Sequence, residues 1–307
     1  MNFQQLRIIR ETVRQNFNLT EASAALYTSQ SGVSKHIKDL EDELGVQIFV
    51  RKGKRLLGLT EAGESLFKIV ERMLLDIDNI KHIADDFNRV DEGTLTIATT
   101  HTQARYVLPP IISQFKQAFP KVHLILQQAS PVEIASMLQQ GEADIGIATE
   151  SLTSEESLAS VPYYDWKHNI IVPNDHPLAN ETDISLHTLA KYPLITYHGG
   201  FTGRSKIDQT FSQAQLEPNI VMSALDADVI KTYVELGMGV GIVNDVAFDP
   251  ERDHRLKQID TALFGQNTTW IAVRREHLLR GYGYEFIRLC QPTADLDYLK
   301  QAAFPEH

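Results

Sequence analysis

Apolar residues recur at helical spacing from the first turn of the chain. Phe3, Leu6, Ile8, Ile9 and Val13 mark one face of a helix from Asn2 to Gln15, which would close a small core against Ala25, Leu26 and Ile37. Thr20 to Leu26 is a short alanine-rich helical segment opening on Thr20, a residue able to cap it, and the polar turn Tyr27-Thr28-Ser29 follows. Gln30 to Leu44 predicts a second helix with Val33, Ile37, Leu40 and Leu44 on one inward stripe and Gly45 where a left-handed C-cap belongs. Gln47–Val50 and Leu56–Leu59 then read as two short strands around the basic turn Arg51-Lys52-Gly53-Lys54-Arg55. Beyond Thr60, which can cap a long helix, Leu66, Ile69, Val70, Met73, Leu74, Ile77, Ile80, Ala84 and Phe87 repeat at spacings of three and four. A seam this long and narrow predicts a coiled-coil partner. Asn88–Gly93 is the expected hinge into a second module.

The pattern then changes to alternation of strand and helix. Thr94–Ala98, Val122–Leu126 and Asp144–Ala148 read as strands, and Gln103–Ala118 and Pro131–Gln139 as the helices between them. After a crossover through Val161–Val172 a second set follows: helix Leu186–Ala190, strand Leu194–Tyr197, helix Arg204–Gln213, strand Ile220–Ser223, helix Ala227–Leu236 and strand Val240–Val243. The chain returns near Thr268–Val273 and ends with a helix at Tyr282–Leu289. Such order implies two parallel sheets, each wrapped by helices.

Two short helices around a tight turn describe a helix-turn-helix, whose second helix would enter a major groove with its first turns. The outward face there carries Gln30, Ser31, Ser34, Lys35 and Lys38, next to Thr28, with no carboxylate among them. A plain helical hairpin with a solvated face has the same spacing. The basic hairpin that follows separates the two readings, because Arg51, Lys52, Lys54 and Arg55 place cations where a wing would meet backbone phosphate.

Composition first argues against nucleic acid, since the net charge of the 307 residues is −11. Splitting the chain turns this around: residues 1–60 hold nine Lys/Arg against six acids (+3), and the remainder 20 against 34 (−14). The cationic charge is local, as steering toward phosphate requires. The single cysteine, Cys290, rules out an internal disulfide and a cysteine-based zinc cluster and fits a reducing cytoplasm; its helical setting predicts a buried, inert thiol. The start has no apolar leader region, and no apolar run is long enough for a membrane span.

The run LTEASAALYTSQSGVSKHIKDLEDELGVQIFVRKGKRLLGLTEAG resembles the winged helix-turn-helix of LysR-type transcriptional regulators. The matching features are Leu19-Thr20, Ser29-Gln30-Ser31 with Val33-Ser34, Leu40-Glu41, Leu44-Gly45, Phe49-Val50-Arg51 and Leu59-Thr60-Glu61-Ala62-Gly63. The resemblance implies an α/β effector domain of the periplasmic-binding-protein type II kind, with two Rossmann-like subdomains, preceded by an all-α winged helix-turn-helix and a long linker helix. The implied boundaries are 1–59 for the reading head, 60–88 for the linker and dimerisation helix, and 89–307 for the effector domain. Within the last, subdomain I takes about 93–160 and 268–307 and subdomain II about 161–267. Implied partners are double-stranded promoter or operator DNA, a small effector, a second copy through the linker helix, a homotetramer built from such dimers, and RNA polymerase. No cofactor, no metal and no membrane are implied.

In open parallel sheets, ligands bind beyond the carboxyl ends of strands. Three such loops carry hydroxyls and free amides: Thr99–Gln103, Thr149–Ser151 and His198–Ser205. Each threonine alone is a routine helix cap; three loops meeting at one cleft suit a small anion or a polar amino-acid-like ligand held by neutral donors. The runs Thr99–Tyr106, Phe201–Ser205 and Asp226–Val234 are similar to those of the CysB/Cbl subgroup, regulators of sulfur assimilation, cysteine biosynthesis and sulfonate use. That resemblance implies Thr100, Thr102, Gln103, Thr149 and Thr202 around a sulfate-like anion, thiosulfate or an acetylserine-type effector, with Trp166 at the cleft wall. The tail after Leu289 is its least matched part.

Other motifs point elsewhere only weakly. Gly237-Met238-Gly239-Val240-Gly241 follows a helix and precedes a strand, the reverse of a dinucleotide fingerprint. Gly200–Ser205 lacks the lysine of a phosphate loop. Asp226 and Asp228 fit an N-cap and a first-turn acid, and the 11 histidines show no ligand spacing, with His101 alone near the cleft. A regulator, a solute-binding receptor and an enzyme with a regulatory head remain as classes. No catalytic constellation supports the third, and the reading head is superfluous for the second.

Overall fold

Asn2 starts the first helix, α1 (Phe3–Arg14), through a reciprocal cap with Gln5. Leu6, Ile8 and Ile9 on its face are buried, whereas Phe3 is exposed. The next helix, α2 (Leu19–Ala25), corrects the expected start: its cap is Asn18, whose carboxamide accepts from the Thr20 and Glu21 amides, and Thr20 already lies in the first turn. It turns Ala22, not Ala25, toward the core. Helix α3 (Gln30–Leu44) runs from the Ser29 cap to Gly45 at φ 71°. Val33, Ile37 and Leu40 are buried as their spacing predicts, each contributing about 1.5–3 kcal/mol. Leu44 stands 39% exposed at the helix end, and Glu41 takes the inward place instead.

Strands β1 (Phe49–Lys52) and β2 (Arg55–Leu59) form the antiparallel wing. Thr60 caps the long helix α4 (Glu61–Phe87): its hydroxyl accepts from the Gly63 amide and donates to the Gln47 carbonyl. Gly63 is obligatory, because a Cβ there would lie 2.1 Å from the Ile48 carbonyl oxygen. The apolar seam of α4 divides in two. Leu66, Val70, Met73, Leu74 and Ile77 pack with Leu6 of α1, while Ile69, Ile80 and Ile83 remain 52%, 66% and 38% exposed.

The computed structural model describes residues 1–53, 55–87, 91–181, 184–201 and 203–304. Lys54, Thr202 and the Asn88–Val90 part of the expected hinge lie outside the described residues. The chain divides into two compact units, Met1–Asp85 and Asp86–His307, so that nearly all of α4 belongs with the reading head. Among the described residues no helix is long and apolar enough to cross a membrane.

The second unit contains two lobes on one continuous sheet. In lobe I, β3 (Gly93–Thr99) leads through a π-helical turn (Gln103–Val107) into α5 (Leu108–Ala118), and β4 (Val122–Gln128), α6 (Pro131–Gln140) and β5 (Ile145–Ala148) follow. The apolar spacing predicts instead one regular helix over the whole of 103–118. Pro109 and Pro110 lack the N–H groups that would continue the ladder, and the helix restarts around them. The 16-residue strand β6 (Leu158–Pro173) crosses to lobe II, made of α7 (Leu186–Leu189), β7 (Leu194–Tyr197), α8 (Arg204–Gln213), β8 (Ile220–Ala224), α9 (Ala227–Glu235), β9 (Val240–Asn244) and β10 (Leu256–Ile259). Strand β11 (Gln266–Arg274) returns to lobe I, which ends with α10 (Gly281–Cys290) and α11 (Leu296–Gln301). The sequence pattern announces neither β10 nor α11.

The strand order is β4-β3-β5-β11-β6-β9-β7-β8, with β10 on β6. In each lobe the first strand lies between the second and third, all parallel (β4-β3-β5 and β8-β7-β9), and the antiparallel pair β6/β11 joins the halves. Each lobe has its own core, around Phe115, Ile147 and Phe286 in the first and around Leu194, Phe211 and Ile242 in the second.

Candidate functional site

In the first unit the Ser29 hydroxyl accepts from the Gly32 amide, which fixes where α3 begins. Thr28, Gln30, Ser31, Lys35 and Lys38 are exposed there, and Ser34 is half-buried. Tyr27, which the sequence marks only as part of a turn, is 98% exposed at φ 50° directly before this face. Glu41 is the larger surprise. Buried inside an acidic run, its carboxylate accepts from the amides of Ile48 (2.8 Å) and Phe49 (3.2 Å) and from Arg51 (2.7 Å). One carboxylate thus ties the second helix to the wing, and Arg51 carries that structural bond besides its place on the basic turn. Lys52 and Arg55 are exposed.

In the second unit three of the expected loop residues leave two neighbouring strand ends. Thr99 is the partner of Ile147 and donates to its carbonyl at 3.0 Å, so Thr100 and Thr149 emerge side by side, both buried. Thr102 is 2% exposed and its hydroxyl bonds to the phenol of Tyr197, a fully buried lobe II residue whose oxygen accepts from the Asn244 amide. Gln103 opens the π-helical turn. Its amide nitrogen donates to Thr269 Oγ1 (3.4 Å) and its amide oxygen accepts from the Tyr164 hydroxyl (2.9 Å), so it rests on both crossing strands. Such single π-turns are rare and are found frequently at functional sites.

Alternation along β6 puts Tyr164, Trp166 and His168 on one face, and along β11 Asn267 and Thr269. Trp166 is 2% exposed, packs edge-to-face on His168 with ring centres 5.0 Å apart, and its indole nitrogen has no partner among the described residues. Gly203, at φ 66° before α8, covers this face. A Cβ there would lie 2.9 Å from His168, 3.1 Å from Trp166 and 3.4 Å from Asn267, so only glycine fits. The crossing strands therefore form a floor on which Gln103 of lobe I and Gly203 of lobe II both sit.

A second group of contacts joins the lobes at the mouth. Asp228, in the first turn of α9, accepts from the Tyr106 hydroxyl at 2.6 Å and lies 3.4 Å from Arg105 and 3.8 Å from His101, all three from lobe I. Lys231 backs it at 3.5 Å and is itself buried against Asp253 (3.0 Å) and the Ala247 carbonyl (2.9 Å). Burial pushes the Asp228 carboxyl up, but the Tyr106 bond and the charges of Lys231, Arg105 and His101 hold it below the usual carboxylate range. Burial and the Asp228 bond raise the Tyr106 hydroxyl far above its ordinary value, so it remains a donor.

Between the lobes opens a cavity of about 290 Å³, lined by Thr100, His101, Gln128, Ser130 and Glu133 on one side and Phe201, Leu225 and Asp226 on the other. His101, Asp226 and Asp228 each bring a ligand-type atom within 4.8 Å of the others, a grouping invisible in their sequence spacing. Arg105 and Lys231 already neutralise Asp228, and Asp226 accepts from the Val229 amide as the cap of α9, so the trio lacks the uncompensated charge that holds a cation. Gly237 is, as its context predicts, the turn after α9. Cys290 is buried and its thiol is pushed up to about 12 by desolvation.

Comparison with known proteins agrees with this geometry. Residues 3–64 match the family model of the bacterial regulatory helix-turn-helix protein, lysR family, and residues 88–295 match the LysR substrate binding domain. The chain is 55% identical over 293 residues to the HTH-type transcriptional regulator SsuR of Burkholderia cenocepacia, covering 95% of each. It is 52% identical over 303 residues to the regulator CysB of the same organism, covering 98% of this chain and 97% of that one. Among solved structures, the cofactor-binding domain of the Cbl transcriptional regulator superposes with a TM-score of 0.67 at 46% identity, covering 70% of this chain and 95% of that domain.

Proposed function

Because the chain belongs to the LysR family of transcriptional regulators, of the CysB, Cbl and SsuR kind, we propose that it controls sulfur-acquisition genes by sensing a small anion in the cleft of its second unit. The reading head contacts operator DNA with Thr28, Gln30, Ser31, Ser34, Lys35 and Lys38 at base edges and adjoining backbone, and with Arg51, Lys52, Lys54 and Arg55 at phosphate. The anion is held by Thr100, Thr102, Gln103, Thr149 and Thr202, with Trp166 beneath. Exposed Ile69, Ile80 and Ile83 pair α4 with a second copy, and such dimers assemble into tetramers that engage RNA polymerase.

The observation that carries the reading is the convergence of buried neutral donors on one floor between two lobes, while the nearby cations are spent on Asp228 and Asp253. Neutral donors suit an anion that must also leave. The first reading is control of sulfur-assimilation and cysteine-biosynthesis genes and the second is control of sulfonate use; relatives named CysB, Cbl and SsuR lie together at 51–55% identity, and the same cleft serves either. Thermal unfolding of the full chain with sulfate, thiosulfate and O- or N-acetylserine tests it. At least one should raise the melting temperature, and Thr100→Val should abolish that rise while operator binding persists. A rise retained in full by Thr100→Val would place the site elsewhere.

A further inference from the structure

The cavity between the lobes is larger than a bare anion requires. Its volume of about 290 Å³ lies near the lower end of the range for small organic ligands, about 300–1,000 Å³. A tetrahedral inorganic anion fills only part of such a space. One part is marked by Thr100, which is 6% exposed and whose hydroxyl has no hydrogen-bond partner among the described residues. A buried hydroxyl in that state is an open donor, and it emerges beside Thr149 from neighbouring strand ends. Phe201 and Leu225 add an apolar wall from lobe II.

Two carboxylates complete the lining, and each caps a helix that begins at the cavity. Glu133 Oε2 accepts from the Ser130 amide (2.9 Å) and hydroxyl (2.7 Å) at the start of α6, and these bonds hold its carboxyl below the usual range. Asp226 Oδ1 accepts from the Val229 amide (2.9 Å) at the start of α9. Glu133 Oε1 and Asp226 Oδ2 have no hydrogen bond among the described residues. A helix start carries about +0.5 charge, where a free anion would ordinarily sit. Here the chain supplies both anions itself, so about −1 remains once two half-charges are set against two carboxylates. No lysine or arginine is among the described lining residues, and Asp228 engages Arg105, Lys231 and His101. An anion at Thr100 therefore shares its cavity with surplus negative charge, which a second anionic group would worsen and an ammonium group would relieve. We infer that the effector is a zwitterion: a sulfur oxyanion head at Thr100, joined by a short carbon chain along Phe201 and Leu225 to an ammonium group held by Glu133 and Asp226. This rests on the anion-sensing reading above and narrows it.

The test titrates the purified full chain by calorimetry with three sulfonates that differ only in the group beyond two methylenes. Taurine ends in an ammonium group, isethionate in a hydroxyl and 3-sulfopropanoate in a carboxylate. Taurine should bind about fivefold more tightly than isethionate and 3-sulfopropanoate about fivefold more weakly, each step being one partly exposed charge interaction. Glu133→Gln combined with Asp226→Asn removes both charges, yet glutamine keeps the capping box of α6 and asparagine the cap of α9. In that chain taurine should weaken about fivefold while 3-sulfopropanoate tightens about fivefold, opposite shifts that a damaged cleft does not produce. Should the double variant prove insoluble, either single substitution should move the two probes in the same opposite senses, by about twofold each. Equal affinity for all three sulfonates, shifts of one sign or none in the variants, or binding of sulfate with all three sulfonates refused would overturn the inference and leave the cleft as an anion site. If neither sulfate nor any sulfonate binds the parent chain, the anion-sensing reading falls with it.

Discussion

Replacing Glu41 tests whether the recognition helix and the wing act as one body. In Glu41→Ala the amides of Ile48 and Phe49 lose their acceptor while staying buried, and Arg51 loses its partner. Two orphaned donors cost about 1–2 kcal/mol each at the lower end of the usual range. The Arg51 side chain is 34% exposed, so water screens it and its pair adds under about 1 kcal/mol. The sum is about 3 kcal/mol, or roughly a hundredfold in the local opening equilibrium. Hydrogen–deuterium exchange of the segment 46–60 reads that directly, and protection there should fall by about this factor while β3 to β11 are unaffected. Glu41→Gln keeps one acceptor oxygen and should lose about half as much. Operator affinity should fall on all sequences alike, because a loosened wing loses phosphate contacts before base contacts. Protection unchanged within about twofold would refute the reasoning.

Tyr106→Phe removes the 2.6 Å bond to Asp228 without touching the cleft floor, and should weaken anion binding about three- to tenfold by favouring the open lobes; calorimetry decides, with no change as the contrary result. Since the Asp228 carboxyl is held below its ordinary value, its contribution to stability is present above about pH 4 and is lost as pH falls further. Urea unfolding between pH 3 and 6 should show a smaller acid loss in Asp228→Asn than in the parent chain. Ile80→Asp places a charge on an isoleucine that is 66% exposed in the single chain, and sedimentation should then show dimers dissociating at least about a hundredfold more readily. An unchanged assembly state would remove α4 from the interface.

What is legible in the sequence follows from periodicity and local caps. Val33, Ile37 and Leu40, the Gly45 end, the Thr60 cap and the alternation of the two lobes all arise from neighbours within a few turns. What is hidden there depends on residues that meet only after folding. Glu41 sits in the run Leu40-Glu41-Asp42-Glu43, which reads as a solvated face until the wing folds back onto it. Asn267 sits in a polar strand start, and its burial exists only because β6 and Gly203 enclose it. The π-turn at Gln103 is masked because apolar spacing through Val107, Leu108 and Ile111 suits a regular helix as well. Strand β10 spans four residues and gains its place from pairing with β6, so its own pattern is too short to announce it.

Gly63 against the Ile48 carbonyl has a mechanical consequence. Thr60 and Glu41 grip the two ends of the same peptide segment, so the root of α4 is welded to the wing and cannot act as a swivel. The reading helix, the wing and α4 are thereby held together as one body within the first unit. At 1.5 Å per residue, the 27 residues of α4 give that body an arm of about 40 Å. A tilt of about 10° at its far end carries the reading helix about 7 Å sideways, about a fifth of one DNA turn. In the dimer proposed above, an arm of these proportions would convert small angular changes into a mismatch between half-sites, with no rearrangement inside the reading head.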